Sequence, residues 1–161
     1  MPEGYENRLV LDEDVPPSLA EALRQRGFDA AALNELRGLI YERSSRQGGS
    51  IGDDEVCDEV SRVPSVLITL NVRDYADLAG LEQLVLARGV SVAMVRVPKG
   101  ESRAGQRAKA IADIVHRHAH RIVRLHGDVP RVASVTRRGL RVRSLEDIPT
   151  LRGGDEQGID R

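Results

Sequence analysis

The residues 65–70, SVLITL, form an uninterrupted apolar and β-branched run with no charge in it. A strand of this kind has no polar face to turn to water, so both of its faces need cover. A parallel sheet flanked by helices provides that cover, and the rest of the chain reads in the same way. Residues 8–11 are a second short apolar run, ending in acids. Pro16 and Pro17 then suit the first turn of a helix over 18–26, with Leu19, Ala22 and Leu23 on one face and Gly27 as its stop. Residues 28–33 read as a strand, and 34–52 as a long irregular loop with little periodicity. Residues 53–62 form a short amphipathic helix with Val56 and Val60 inward, and 75–88 a helix with a stripe of Leu78, Leu81, Leu84 and Val85. A strand over 90–97 is stopped by Pro98 and Gly100. The longest helix, 102–120, carries Ala108, Ile111, Ala112 and Val115 on its apolar side. Residues 131–136 and 140–144, split around Arg138 and Gly139, form a C-terminal β-hairpin.

This order predicts an α/β fold, a three-layer α/β/α sandwich with a mainly parallel central sheet and the hairpin at its end. The domain spans 8–145, after a flexible stretch over 1–7 and before a disordered, glycine-rich tail over 146–161. A chain of 161 residues supports one such domain. No run approaches the ~18 apolar residues that span a bilayer, and the polar start MPEGYENR is unlike a secretory signal. Cys57 is the single cysteine, which excludes an internal disulfide and a cysteine-based zinc site. A reduced cytoplasm is the expected location.

The net charge of −1 conceals a division. Residues 1–77 hold sixteen acids against eight arginines, whereas 103–143 hold eleven bases against Asp113 and Asp128. A basic face beside an acidic pocket would suit a polyanion, although the two halves could equally neutralise each other within the fold or across a dimer.

In layered α/β folds the working residues lie beyond the carboxyl ends of the strands. Asp12 and Asp14 follow the first strand, and Asn71 and Asp74 follow SVLITL. If the chain stays extended, Asp12 and Asp14 share a side and Glu13 faces away. With Asp54 at the start of a helix, four carboxylates would gather where only a cation could compensate them. Oxygen ligands without sulfur suit Mg²⁺ or Mn²⁺, which can activate water against a phosphodiester. The plain alternative makes Asp14, Asp54 and Asp74 helix caps and Asn71 a turn residue.

The segment VLDEDVPPSLAEALRQRGFD (residues 10–29) resembles the opening of a bacterial and archaeal PIN-like family, with its "LLDEN(L/V)PP" motif and a helix ending in "RGHD". Asp54-Glu55-Val56 is similar to the Asp-Glu pair that opens a later helix in that family. Thr69 through Tyr75, TLNVRDY, resembles its T-x-[DN]-x-x-D-[FY] element. The likeness covers about residues 8–125. It implies a metal-dependent endoribonuclease, often the toxin of a toxin–antitoxin pair and commonly a homodimer, with RNA as substrate and an antitoxin protein as partner. It makes Asp12, Asp54 and Asp74 catalytic metal-site acids, with Asp14 where relatives often carry Asn. Asn71 and Thr69 would orient a ligand or water. Arg73, Arg138, Arg141 and Arg143 are candidate RNA contacts, acting through phosphates because aromatic surface is scarce.

Three other readings compete. A PIN-like scaffold could be a non-catalytic binding or interaction module. Asp12-Glu13-Asp14-Val15 also resembles the nucleophile motif of haloacid-dehalogenase-like phosphatases, with Asp12 as nucleophile and Thr69 as second motif. That family needs a lysine and then a late acidic pair, and here Asp53 and Asp54 come before the threonine. Receiver domains need an aspartate ending the third strand, where this chain has Leu70 and Asn71. His116, His118 and His120 could suggest a metal, but only His116 and His120 share a helix face, so a solvated basic face is expected there.

Overall fold

The computed structural model describes residues 7–44, 52–70, 86–97, 104–127 and 129–143. The stretches 1–6 and 144–161, the greater part of the helix expected over 75–88, and Asn71, Arg73, Asp74 and Lys99 lie outside the described residues.

Six strands form one sheet in the order β2-β1-β3-β4-β5-β6. These are β1 (Arg8–Leu11), β2 (Ala30–Ala32), β3 (Ser65–Thr69), β4 (Ser91–Val95), β5 (Val132–Thr136) and β6 (Gly139–Arg143). The first five run parallel, and β6 returns antiparallel to β5 as the expected hairpin. Four helices accompany them among the described residues: α1 (Ser18–Gln25), α2 (Leu33–Ser44), α3 (Asp53–Ser61) and α4 (Ala104–Val123). The chain is thus α/β with a mixed, mostly parallel sheet.

Strand alternation divides the core in two. Leu9, Leu11, Val66, Ile68, Ala93, Val95, Ala133 and Val135 join one apolar cluster with Leu19 and Leu23 of α1 and Ile111, Ile114, Val115 and Ile122 of α4. Val10, Leu67, Val92, Met94 and Val132 join another with Leu33, Leu36 and Ile40 of α2 and Val56, Cys57 and Val60 of α3. Every residue of β3 and β4 is buried, as their apolar sequences require. Each fully buried Leu or Ile contributes about 1.5–3 kcal/mol relative to exposure.

Helix α1 ends where Gly27 permits it. Gly27 adopts φ 93°, its N–H donates to the Arg24 carbonyl at 2.9 Å, and the Phe28 N–H reaches back to Leu23 O at 3.1 Å. This pair of bonds is a Schellman motif, which closes the last helical carbonyls through a left-handed residue. Phe28, 3% exposed, then packs into the first cluster.

The long loop expected over 34–52 is corrected in its first half: residues 33–44 are helix α2. Its buried residues, Leu33, Leu36 and Ile40, keep helical spacing. Gly38 in the middle and Leu39, exposed on the outer side, disguise that stripe. The same helix shortens β2, because Leu33 opens α2 instead of ending the strand. Among the described residues no helix is long and apolar enough to cross a membrane.

Candidate functional site

Strand order reverses at β1. The chain moves to β2 on one side of it and to β3 on the other, so the carboxyl ends of β1 and β3 flank a crevice, where α/β sheets bind ligands. Leu11 pairs with Ile68 in the parallel register, which sets Asp12 beside Thr69. The Asp12 N–H donates to Ile68 O at 2.9 Å, carrying the ladder one bond further.

The side chains continue this junction. The Thr69 hydroxyl, fully buried, donates to Asp12 Oδ2 at 2.8 Å, and the Glu13 N–H donates to Asp12 Oδ1 at 2.7 Å. The chain then turns, with the Val15 N–H on Asp12 O at 3.0 Å and the Val15 side chain buried as an anchor. Aspartate suits the start of such a turn, because its carboxylate can hold nearby backbone N–H groups. The turn brings Asp14 back over β3, where its Oδ1 accepts the Leu70 N–H at 3.3 Å. Asp12 and Asp14 therefore meet through a turn and not along an extended strand. Glu13 does face away, paired with Arg37 of α2.

Asp14 is exposed as a residue, yet its carboxyl group is partly enclosed. Loss of hydration, and then the negative charge of Asp12, push its pKa above the ordinary carboxylate range. The Leu70 N–H, its own N–H and the charge of Arg107 oppose that rise only in part. Arg107, in the first turn of α4, is a site residue that the sequence motifs did not point to. Its sequence signal is its place, soon after the strand that ends near Val95.

Neither Asp14 nor Asp54 is a capping residue. The residue preceding α1 is Pro17 and the one preceding α3 is Gly52, and neither helix has a side-chain cap bond. Asp54 is the second residue of α3. The last turn of that helix lies at the amino edge of the sheet, where Arg8 Nη2 donates to Glu59 O at 3.1 Å and to Val60 O at 3.2 Å. About 13 Å of helix separates its two ends, which carries the backbone of Asp54 toward the carboxyl edge. Asp74, Asn71 and Arg73 lie outside the described residues. Among the described residues no three His, Cys, Asp or Glu side chains come together, so Asp12, Asp14 and the Thr69 hydroxyl are the part of the expected ligand set that is in view. Two carboxylates fit Mg²⁺, which keeps several waters and takes one or two protein carboxylates.

The expected arginine patch is divided. Arg138 sits in the β5–β6 turn at the carboxyl edge, whereas Arg143 pairs with Val132 at the amino edge and Arg141 lies between them opposite Ser134. The histidine face expected to be solvated is so in part: His120 is exposed and His116 is half-buried. His116 Nδ1 meets Arg26 Nη1 at 2.8 Å, His120 packs 5.1 Å from the Phe28 ring, and His118 is buried. The two that share a face pack against the end of α1. Burial, and then the Arg26 charge, lower the His116 pKa.

Comparison of the chain with family models, curated proteins and solved structures yields no match.

Proposed function

We propose that this chain is a PIN-like three-layer α/β/α domain acting as a metal-dependent endoribonuclease, with Mg²⁺ or Mn²⁺ held by Asp12 and Asp14. The supporting observation is the pairing of these two carboxylates at the reversal of strand order, with Asp14 held above its ordinary pKa partly by Asp12. Like charges pressed together in a half-buried crevice gain most from a divalent cation, which relieves both repulsion and desolvation. Asp54 and Asp74 complete the ligand set in this reading. When bound, the metal would make a bound water more acidic and offset charge on a phosphate. The protein's own part is positioning. Thr69 fixes the rotamer of Asp12 through Oδ2, Leu70 aims Asp14, and Arg107 supplies a positive charge beside the crevice for a phosphate oxygen.

The test is cleavage of a labelled single-stranded RNA by the full chain with Mn²⁺. The reading expects cleavage that EDTA abolishes and that Asp12→Asn and Asp14→Asn lose while still unfolding in a single cooperative transition above the assay temperature. A folded wild type that binds Mn²⁺ without cutting any RNA points to a binding module, and one that neither binds nor cuts ends the proposal. The Thr69–Asp12 contact also favours a second reading, a phosphatase with Asp12 as nucleophile. Turnover of p-nitrophenyl phosphate in place of RNA would select it.

A further inference from the structure

The two outer edges of the sheet are finished differently. At β2 the Leu9 N–H takes Asp29 O, so the backbone groups of Ala30 and Ala32 point away from β1. Side chains close that edge. Arg24 Nη1 donates to Ala30 O at 2.9 Å, and the Ala32 N–H donates to Glu35 Oε1 at 2.9 Å. Arg24 is itself held by Glu21 at 3.0 Å and by Glu35 at 3.2 Å. An edge plugged in this way cannot template a further strand. At the other end, β6 is last in the strand order, and every second residue of it turns its N–H and C=O outward. Among the described residues no side chain bonds to the backbone of Leu140 or Val142; the bond from Thr136 Oγ1 to Gly139 O, at 3.5 Å, lies at the turn. The two faces of β6 also differ. Leu140 stands opposite Val135 and Val142 opposite Ala133, on the side of the sheet that α4 covers, and Val142 is left 48% exposed. Arg141, opposite Ser134, belongs to the other face and is exposed. Residues 129–143 hold five arginines and no acid.

We propose that the outer edge of β6 docks an extended strand of a partner protein in which apolar and acidic residues alternate. Backbone pairing supplies the attachment, and alternate side chains select the partner. Apolar residues of the incoming strand would extend the α4-side layer past Leu140 and Val142, and its acids would stand beside Arg141. A second copy pairing through its own β6 is disfavoured, because it would set this acid-free, arginine-rich strand against itself. RNA could neutralise Arg141, but it lacks the alternating peptide donors and acceptors that match a sheet edge and would leave Val142 exposed. The edge lies three places along the strand order from β3 and stands apart from the Asp12–Asp14 crevice, so docking there does not depend on what the crevice does.

The probe is a fluorescein-labelled peptide of alternating valine and glutamate, titrated with the full chain and followed by anisotropy at low salt. Saturable binding with a Kd below about 1 mM is expected. Hydrogen exchange, resolved by NMR, should slow at alternate amides of β6 when the peptide is bound. Arg141→Glu, at an exposed residue, should weaken this peptide by about 10-fold and strengthen a valine–lysine peptide by about the same factor, because like and opposite cross-strand charges exchange places. The valine–glutamate peptide N-methylated along its backbone keeps its charge, loses its donors and should not bind. No binding of the unmodified peptide, equal binding of the N-methylated one, or an affinity for both charge forms that Arg141→Glu leaves unchanged would overturn the docking edge. So would protection of alternate β6 amides in the free chain that grows with protein concentration, which would assign the edge to a second copy. Protection by single-stranded RNA in place of the peptide would overturn it as well.

Discussion

The contact between Thr69 and Asp12 can be weighed directly. Thr69 is fully buried at the end of β3, and its hydroxyl donates to Asp12 Oδ2 at 2.8 Å. A hydrogen bond to a charged group contributes about 1.5–3 kcal/mol net, and the lower end applies because Asp12 is only half-buried. Thr69→Val keeps the β-branched shape that the strand favours but buries one more methyl group, a gain of about 0.8 kcal/mol. The single variant therefore loses only about 0.7 kcal/mol and understates the bond. A cycle of Thr69→Val, Asp12→Ala and the double variant cancels the methyl gain and isolates the coupling. Urea unfolding at pH 7 should return a coupling of about 1.5 kcal/mol with unchanged m-values. A coupling under about 0.3 kcal/mol, the usual scatter of additivity, would show that Thr69 does not hold Asp12.

Other outcomes follow from the same structure. The raised pKa of Asp14 means that the folded state holds its proton to higher pH than the unfolded state does, so stability falls as pH rises from the ordinary carboxylate range through the folded value. Asp14→Asn should remove that fall in urea titrations run between pH 3 and 7, and a variant that loses stability more steeply than wild type over that range would contradict it. Glu59, 7% exposed, is paired with Arg43 and more distantly with Arg62 at 3.8 Å. Among the described residues, Arg43→Ala leaves this buried carboxylate with the more distant Arg62 and the charge of Arg8, and should cost about 1–2 kcal/mol, below the ~3–5 kcal/mol of a fully buried pair because Arg43 is half exposed; no change in the urea midpoint would refute this. Gly27→Ala forces a side chain onto φ 93° and should cost about 1 kcal/mol, a melting drop of about 2–4 °C for a chain of this size.

Much of the fold was legible because it rests on patterns that do not depend on distant partners. SVLITL and VSVAMV name strands by burial on both faces, and Gly27 and Gly89, both at positive φ, mark chain reversals. Helix α2 was not legible. Leu33, Leu36 and Ile40 are only three inward residues, and Gly38 interrupts the propensity around them, so tertiary packing against α3 decides the element. The convergence of Asp12, Asp14 and Thr69 could be guessed from strand ends. Its geometry could not, because the turn that returns Asp14 to Leu70 depends on the β1–β3 register. Arg107 was missed for a related reason. A lone arginine in the first turn of a helix has no sequence signature, and only the order of the strands shows what it faces.

The central claim is that a divalent cation sits between Asp12 and Asp14. Titrating Mn²⁺ into the full chain at neutral pH, with free Mn²⁺ followed by paramagnetic resonance, tests it without requiring turnover. The account predicts saturable binding that disappears in Asp12→Asn/Asp14→Asn, with a melting temperature that rises with Mn²⁺ in wild type only. Identical Mn²⁺ isotherms for the wild type and the double variant would contradict it.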